Sequence, residues 1–204
     1  MNQEPIFIAL SGGVDSAAAA YLLKEKYSNL IGISHIVWPE SKCCSKICLD
    51  RAALMCRQIG IPYHRIVCIS EFTQKVVEPF INTYLAGETP NPCVLCNEKI
   101  RFFYMIEEYF RKQGHKSKDY KIATGHYARI ENKDGRFYLK RGKDNTKDQS
   151  YMLYRLSQEQ LSHSIFPLGD YTKKQVREFA NKWGIESASV KDSQDICFIE
   201  NDYA

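Results

Sequence analysis

The chain has 204 residues, enough for one sizeable domain or a domain with an appendage. It is 44% hydrophobic and 25% charged, with no apolar run of transmembrane length and no basic segment leading into an apolar core, so a globular cytoplasmic chain with no membrane association is expected. The net charge of +4 hides an asymmetry: Arg111 to Lys147 holds 12 Lys and Arg against 4 Asp and Glu, which suits either a polyanion partner or a solvated lysine-rich face.

The apolar run Ile6 to Leu10 predicts a first strand, buried on both faces. Ser11-Gly12-Gly13-Val14-Asp15-Ser16 follows, then a helix from Ser16 to Tyr27. Strand, glycine turn and helix start in that order make a phosphate cradle. The glycines admit close backbone approach, the helix N-terminus favours anions, and Ser11 and Ser16 add hydroxyls, with Ser16 also able to cap the helix. The Lys-Ser/Thr ending of the Walker loop is absent.

Leu30 to Trp38 predicts strand two, stopped by Pro39, and a polar loop with Cys43 and Cys44 follows. Ile47 to Ile59 has helical spacing and ends at Gly60. Tyr63 to Ile69 predicts strand three, and Ser70-Glu71-Phe72-Thr73 opens a helix to Leu85, kinked or restarted near Pro79. Gly87 to Cys96 predicts a loop, Asn97 to Gln113 a helix, and Tyr120 to Thr124 strand four. Tyr127–Glu131 and Arg136–Arg141 flank Asn132-Lys133-Asp134-Gly135, a hairpin turn. Tyr151 to Leu161 is helical in part, and Thr172 opens a helix from Lys173 to Trp183, ended by Gly184. The expected fold class is α/β, a parallel sheet with helices on both faces, plus a small hairpin and helical appendage. The expected division is 1–126 for the core and 127–204 for the extension. Ligands bind such sheets at the carboxyl ends of the strands, so Ser11–Ser16 and Gly125-His126 should converge.

Eight cysteines in a chain of this kind point to thiol, metal or cluster chemistry rather than a disulfide scaffold. The two prolines of Thr89-Pro90-Asn91-Pro92 stiffen the loop that ends in Cys96. A cysteine at a helix start gains thiolate character from the dipole, making Cys96 a candidate nucleophile. Cys93, three residues earlier, suits a redox pair or half a metal site. Cys56 and Cys68 read as core, and Trp38 and Trp183 as packing residues. Cys43, Cys44 and Cys48 suit either a metal or reduced thiols.

Ser11–Ser16 resembles the PP-loop of the ATP pyrophosphatases. Thr89-Pro90-Asn91-Pro92 with Leu95-Cys96-Asn97, Ala123-Thr124-Gly125-His126-Tyr127, Lys147-Asp148-Gln149-Ser150-Tyr151, and Asp192-Ser193 with Ile196-Cys197-Phe198 extend the likeness over nearly the whole chain. Together they resemble the tRNA-specific 2-thiouridylases, which exchange the 2-oxygen of the wobble uridine for sulfur. The resemblance implies ATP binding by Ala9, Leu10, Ser11, Gly12, Gly13, Val14, Asp15 and Ser16, with Gly125 lining the nucleotide and His35 meeting it by its backbone. It implies that Asn91, Pro92 and Cys93 approach the target base, and that His126, Lys147, Asp148 and Gln149 touch tRNA. His126 is then either a general base or a hydrogen-bond donor to RNA. Cys96 would be the nucleophile and Cys197 the persulfide carrier. The implied cofactors are ATP and Mg²⁺, with Asp15 a possible ligand; the implied partners are tRNA and a cysteine desulfurase or sulfur-relay protein as donor.

Two departures stand out. The family has an aspartate where this chain has Cys93, and the resulting set of Cys93, Cys96 and Cys197 raises a three-thiolate iron–sulfur cluster as a hypothesis. The chain also runs only seven residues past Cys197, where family members continue into further domains, so a catalytic domain without the C-terminal domains is expected.

Overall fold

A computed structural model describes residues 4–38, 45–114, 119–189 and 196–199. Strands β1 (Ile6–Ala9), β2 (Leu30–Ile36), β3 (Tyr63–Val67), β4 (Lys121–Ala123) and β7 (Ser164–Ile165) form a five-stranded sheet in the order β3-β2-β1-β4-β7. Every pairing in it is parallel, with Ile6 opposite both Leu30 and Lys121. Two strands, β5 (Ala128–Lys133) and β6 (Arg136–Arg141), form a separate antiparallel hairpin. Its two-residue turn places Asp134 (φ 51°) and Gly135 (φ 78°) in the left-handed region, which the Asp-Gly pair tolerates.

Alternation along β1 explains the layers. Phe7 and Ala9 face one apolar cluster, and Ile6 and Ile8 face the other. On the first face lie α3 (residues 69–85) and α4 (residues 92–112), through Phe72, Val76, Ile100, Met105 and Phe110. The second face carries α1 (Val14–Lys24), α2 (Lys46–Gln58) and α6 (Lys173–Lys182). Four successive alanines, Ala17 to Ala20, are buried in α1 and bring its backbone close to the sheet. The predicted packing residues stay packing residues: Trp183 stacks on Tyr21 at 5.1 Å, and Cys56 and Cys68 are each 1% exposed. Burial pushes both of those thiols up to about 12.

The sheet does not stop at residue 126. The short β7 follows α5 (Gln158–His163) and pairs with β4, while α6 packs on α1. Two residues are too few to leave a periodic signal, so the fifth strand was invisible in the sequence. The helix expected to kink near Pro79 runs through as Ile69–Phe72, a π-helical stretch Thr73–Val77 and Glu78–Leu85. Pro79 stands just after the widened turn, where it has no N–H to give the ladder.

Candidate functional site

The strand order reverses between β1 and β4, and ligands of open α/β sheets bind at such a switch point. A cleft of about 160 Å³ opens there, lined by Ala9, Leu10, Ser11, Asp15, Ser16, His35, Arg101, Thr124, Gly125, His126 and Gln149. The convergence expected of Ser11–Ser16 and Gly125-His126 is present.

The cradle is built differently in one detail from expectation. Helix α1 starts at Val14 with Gly13 at its N-cap, and no side chain caps it. Ser16 therefore lies in the first turn, not at the cap. Its Oγ accepts from the Ser11 N–H (3.2 Å) and donates to the Gly13 carbonyl (3.0 Å), closing the loop on itself. An uncapped helix start presents N–H groups and a positive dipole end to an anion. Two glycines make the geometry possible. Gly12 has φ +73°, and a Cβ there would lie 2.4 Å from the Cys48 carbonyl of α2. A Cβ on Gly125 would lie 2.7 Å from the Ser16 nitrogen. Behind the loop, Tyr63 Oη donates to Ser34 Oγ (2.9 Å), which donates to the Leu10 carbonyl (2.6 Å) and fixes the strand end.

Three residues in or beside the cleft had no role in the sequence reading: Lys173, Tyr127 and Arg101. Lys173 Nζ meets both Asp15 carboxylate oxygens, at 2.8 and 2.7 Å, and Tyr127 Oη donates to Oδ1 at 2.9 Å. Lys173 is buried at the first position of α6, where its cation opposes the helix dipole. That misplacement is a signal of a tertiary partner that the sequence did contain. Asp15 is the only carboxylate among the residues lining the cleft, and both its oxygens are engaged. Lys173 offsets its charge, and a carboxylate with about four lone-pair sites retains accepting capacity beyond these contacts. Arg101 donates to Asn97 Oδ1 (2.7 Å) and lies 3.5 Å from His126 Nε2.

His35 and His126 are both held neutral, with pKa lowered to about 3 by burial and then by the Arg101 charge. His126 Nδ1 bonds Thr124 Oγ1 at 2.7 Å, so the ring is an interior wall of the cleft. An unfolded histidine binds a proton near pH 6.5, whereas these two in the fold do not until about pH 3. The unfolded chain thus binds more protons in between, and stability falls as pH drops below about 6.5, by up to roughly 1.4 kcal/mol per pH unit for each ring. Melting temperatures from pH 7 to 5 should show this decline, and His126→Gln should reduce its slope by roughly half, leaving the His35 share.

The cysteine loop needs a correction. The helix begins at Pro92, not Asn97: Asn91 caps it, its side chain accepting from the Cys93 N–H at 3.2 Å, with Pro92 at the first position. Cys93 therefore occupies the first turn, and Cys96 lies one turn in, at the start of a π-helical stretch Cys96–Tyr104. Cys96 does not stand at the helix start, where the N-terminal dipole would act on it. Asn-Pro is itself a cap-plus-first-position signature, so the earlier start was readable. Burial raises the Cys93 thiol, and Arg101 pulls it back. Cys96 and Cys197 both pack against the apolar cluster that holds α3 and α4, and Phe198 meets the Phe72, Phe80 and Trp38 rings. No disulfide joins any two of the six described cysteines. No group of three potential metal ligands gathers among the described residues, so Cys93, Cys96 and Cys197 do not form a cluster-binding set here. Cys43, Cys44, Asp192 and Ser193 lie outside the described residues.

Asn91, Pro92 and Cys93 stand beside the turn Ser150–Met152, with Asn91 Nδ2 3.9 Å from Met152 Sδ and Asn97 Nδ2 bonded to the Met152 carbonyl. Asp148 organises its own loop by accepting from the Gly142 and Ser150 N–H groups and the Ser150 hydroxyl. Gln149 accepts from the Tyr127 N–H and lines the cleft. Lys147 donates its backbone N–H to the Asp144 carbonyl. No helix among the described residues is long and apolar enough to cross a membrane.

A parallel sheet, a self-closed serine–glycine loop and a switch-point cleft together make an α/β fold with its candidate site at the carboxyl ends of the strands. The family model described as the tRNA methyl transferase HUP domain matches residues 4–201, and the chain belongs to that family. It is 42% identical over 207 residues to the tRNA-specific 2-thiouridylase MnmA of Clostridium perfringens, covering 98% of this chain and 56% of the relative. It is 45% identical over 210 residues to the tRNA-specific 2-thiouridylase MnmA 1 of Caldanaerobacter subterraneus, covering 97% and 56%. The chain thus spans little more than half the length of these relatives. Two solved structures share the fold. One is the NMN synthetase of Francisella tularensis, with TM-score 0.56 and 16% identity over 94% of this chain and 67% of that one. The other is the U34-tRNA thiolase NcsA of Methanococcus maripaludis with its [4Fe-4S] cluster, with TM-score 0.54 and 20% identity over 91% and 59%.

Proposed function

We propose that this chain carries the activating and sulfur-delivering site of an ATP-dependent tRNA-uridine 2-sulfurtransferase. The observation that carries the reading is the convergence of the uncapped Ser11–Ser16 loop with the helix that bears Cys93 and Cys96, through Arg101, on one cleft. A uracil carbonyl oxygen is a poor leaving group. Its attack on the ATP α-phosphate forms the O2–phosphorus bond and expels pyrophosphate into the Ser11–Ser16 cradle. The terminal sulfur of a Cys197 persulfide then adds to C2, and AMP departs with the former oxygen. Cys96 thiolate attacks the Cys197 sulfur, leaving the sulfur on the base and forming a Cys96–Cys197 disulfide, which a dithiol reductant resets. Mg²⁺, when bound, would offset phosphate charge, with Asp15 the cleft carboxylate that would hold it directly or through water.

The acceptor is a splayed nucleotide of the tRNA. Tyr151 and Tyr154, 57% and 68% exposed, flank Met152 beside Asn91 and provide faces for an unstacked base. Lys147 and Arg141 would meet phosphate, and His126 would act from the cleft wall. The donor would be a cysteine desulfurase or sulfur-relay protein.

Incubation with ATP should release pyrophosphate and AMP only when substrate tRNA is present. Cys197→Ser should retain a first burst of pyrophosphate while blocking thiolation. Pyrophosphate release that is indifferent to tRNA would contradict the reading. Binding of tRNA should weaken steeply between about 50 and 200 mM salt, as it does for any contact made through phosphates.

A further inference from the structure

Arg101 is a cation of the cleft that lies in no sequence motif singled out above. It lines the cleft together with Ser11, Ser16 and Gly125. Its hydrogen-bonding contacts are Asn97 Oδ1 and His126 Nε2, both neutral, and no ion pair engages it among the described residues. The other cation beside the cleft, Lys173, is already committed to Asp15. A guanidinium has five N–H donors, so Arg101 retains donors beyond these contacts. The two histidines near it stay neutral, so its charge is not diluted by a second titrating cation, nor is it cancelled by a carboxylate.

Its position along the cleft is specific. It shares the cleft lining with Ser11 and Ser16 of the loop, its guanidinium also meets Asn97, adjacent in sequence to Cys96, and its field reaches the Cys93 thiol. Displacement at phosphorus is in line, so acceptor oxygen and pyrophosphate stand on opposite sides of the α-phosphorus. With pyrophosphate at Ser11–Ser16 and the acceptor beside the cysteines, the α-phosphate would lie between them, in the cleft that Arg101 lines.

We propose that Arg101 is a catalytic residue that grips the non-bridging oxygens of the α-phosphate, in ATP and again in departing AMP. It remains protonated throughout. The bond made is uridine O2 to phosphorus and the bond broken is phosphorus to the bridging oxygen of pyrophosphate, so the guanidinium only stabilises the charge that gathers between them. The proposal rests on the nucleotide-activating reading above.

The test is calorimetric binding of AMP and of inorganic pyrophosphate, separately, to the unmutated protein, Arg101→Gln and Arg101→Lys. Arg101→Gln should weaken AMP binding by about 10- to 100-fold, the effect of losing charge-assisted bonds, while pyrophosphate binding stays within about twofold. Arg101→Lys should recover part of the AMP affinity, as a point charge without the planar fork. AMP binding unchanged in Arg101→Gln, or equal losses for both ligands, would overturn the assignment. If circular dichroism shows Arg101→Gln unfolded, Arg101→Lys decides: AMP weakened several-fold with pyrophosphate unchanged supports it, and unchanged AMP binding overturns it. Neither tRNA nor sulfur enters the measurement. A protein that makes no 2-thiouridine yet shows this AMP-selective loss would sink the thiolation reading and leave Arg101's role standing.

Discussion

Gly125→Ala should abolish detectable ATP binding while leaving the protein folded. The added Cβ would stand 2.7 Å from the Ser16 nitrogen and 2.8 Å from the Asp15 carbonyl carbon, both backbone atoms in the first turn of α1. Neither can move aside like the tip of a side chain, so the loop must shift as a unit. Overpacking of this kind costs about 1–3 kcal/mol of stability. The functional loss is greater, because the cradle works by pointing several N–H groups at one place, and a displacement near 1 Å costs on the order of 100-fold. Thermal melting should show a modest decrease, and calorimetry with ATP should show an affinity at least about 100-fold weaker. Gly87→Ala is the matched control: its Cβ would meet nothing within 4 Å, and its φ of +78° brings backbone strain alone.

Lys173→Met carries the second large effect. The substitution leaves Asp15 as an uncompensated carboxylate against the buried Tyr127 and at the edge of the phosphate cradle. Losing one partner of a buried pair costs roughly 3–5 kcal/mol; the side chain of Asp15 is 27% exposed, so the lower part of that range, discounted to about 2–3 kcal/mol, is expected. The freed negative charge also repels the nucleotide's phosphates, and ATP affinity should fall by about tenfold or more. Asp15→Asn combined with Lys173→Met removes both charges and should recover much of the lost stability. A double-mutant cycle with urea denaturation measures the coupling. Additive losses would mean that the ion pair contributes nothing.

The legible parts of this molecule are those written in local chemistry. Strands at β1, β2 and β3 were marked by apolar runs, the hairpin by Asp134-Gly135, and the cradle by two glycines between a strand and a helix. The α/β architecture and the meeting of Ser11–Ser16 with Gly125-His126 followed from strand–helix alternation. The cysteine helix was misplaced by five residues because the prolines were read as loop stiffeners, although Asn91-Pro92 is a helix start. The contacts that charge the cleft were not legible. Asp15 and Lys173 are joined across almost the whole chain, and Arg101 reads as one more polar residue of an amphipathic helix. What assigns them is the packing of α6 on α1 and of α4 over the carboxyl ends of the strands, which no local pattern encodes. Cys93 remains the most unusual residue of the site. It sits in the first helical turn, where burial raises its thiol pKa and the Arg101 charge offsets only part of that.

The most direct measurement of the central claim is nucleoside mass spectrometry of tRNA after incubation with the protein, ATP, Mg²⁺ and a persulfide-forming donor, the protein being supplied as this chain and at the length of its 2-thiouridylase relatives. The expected result is 2-thiouridine that depends on ATP and disappears in Cys96→Ser and in Cys197→Ser, while both variants still bind ATP. Absence of 2-thiouridine from the longer protein, or its undiminished formation by both serine variants, would contradict it.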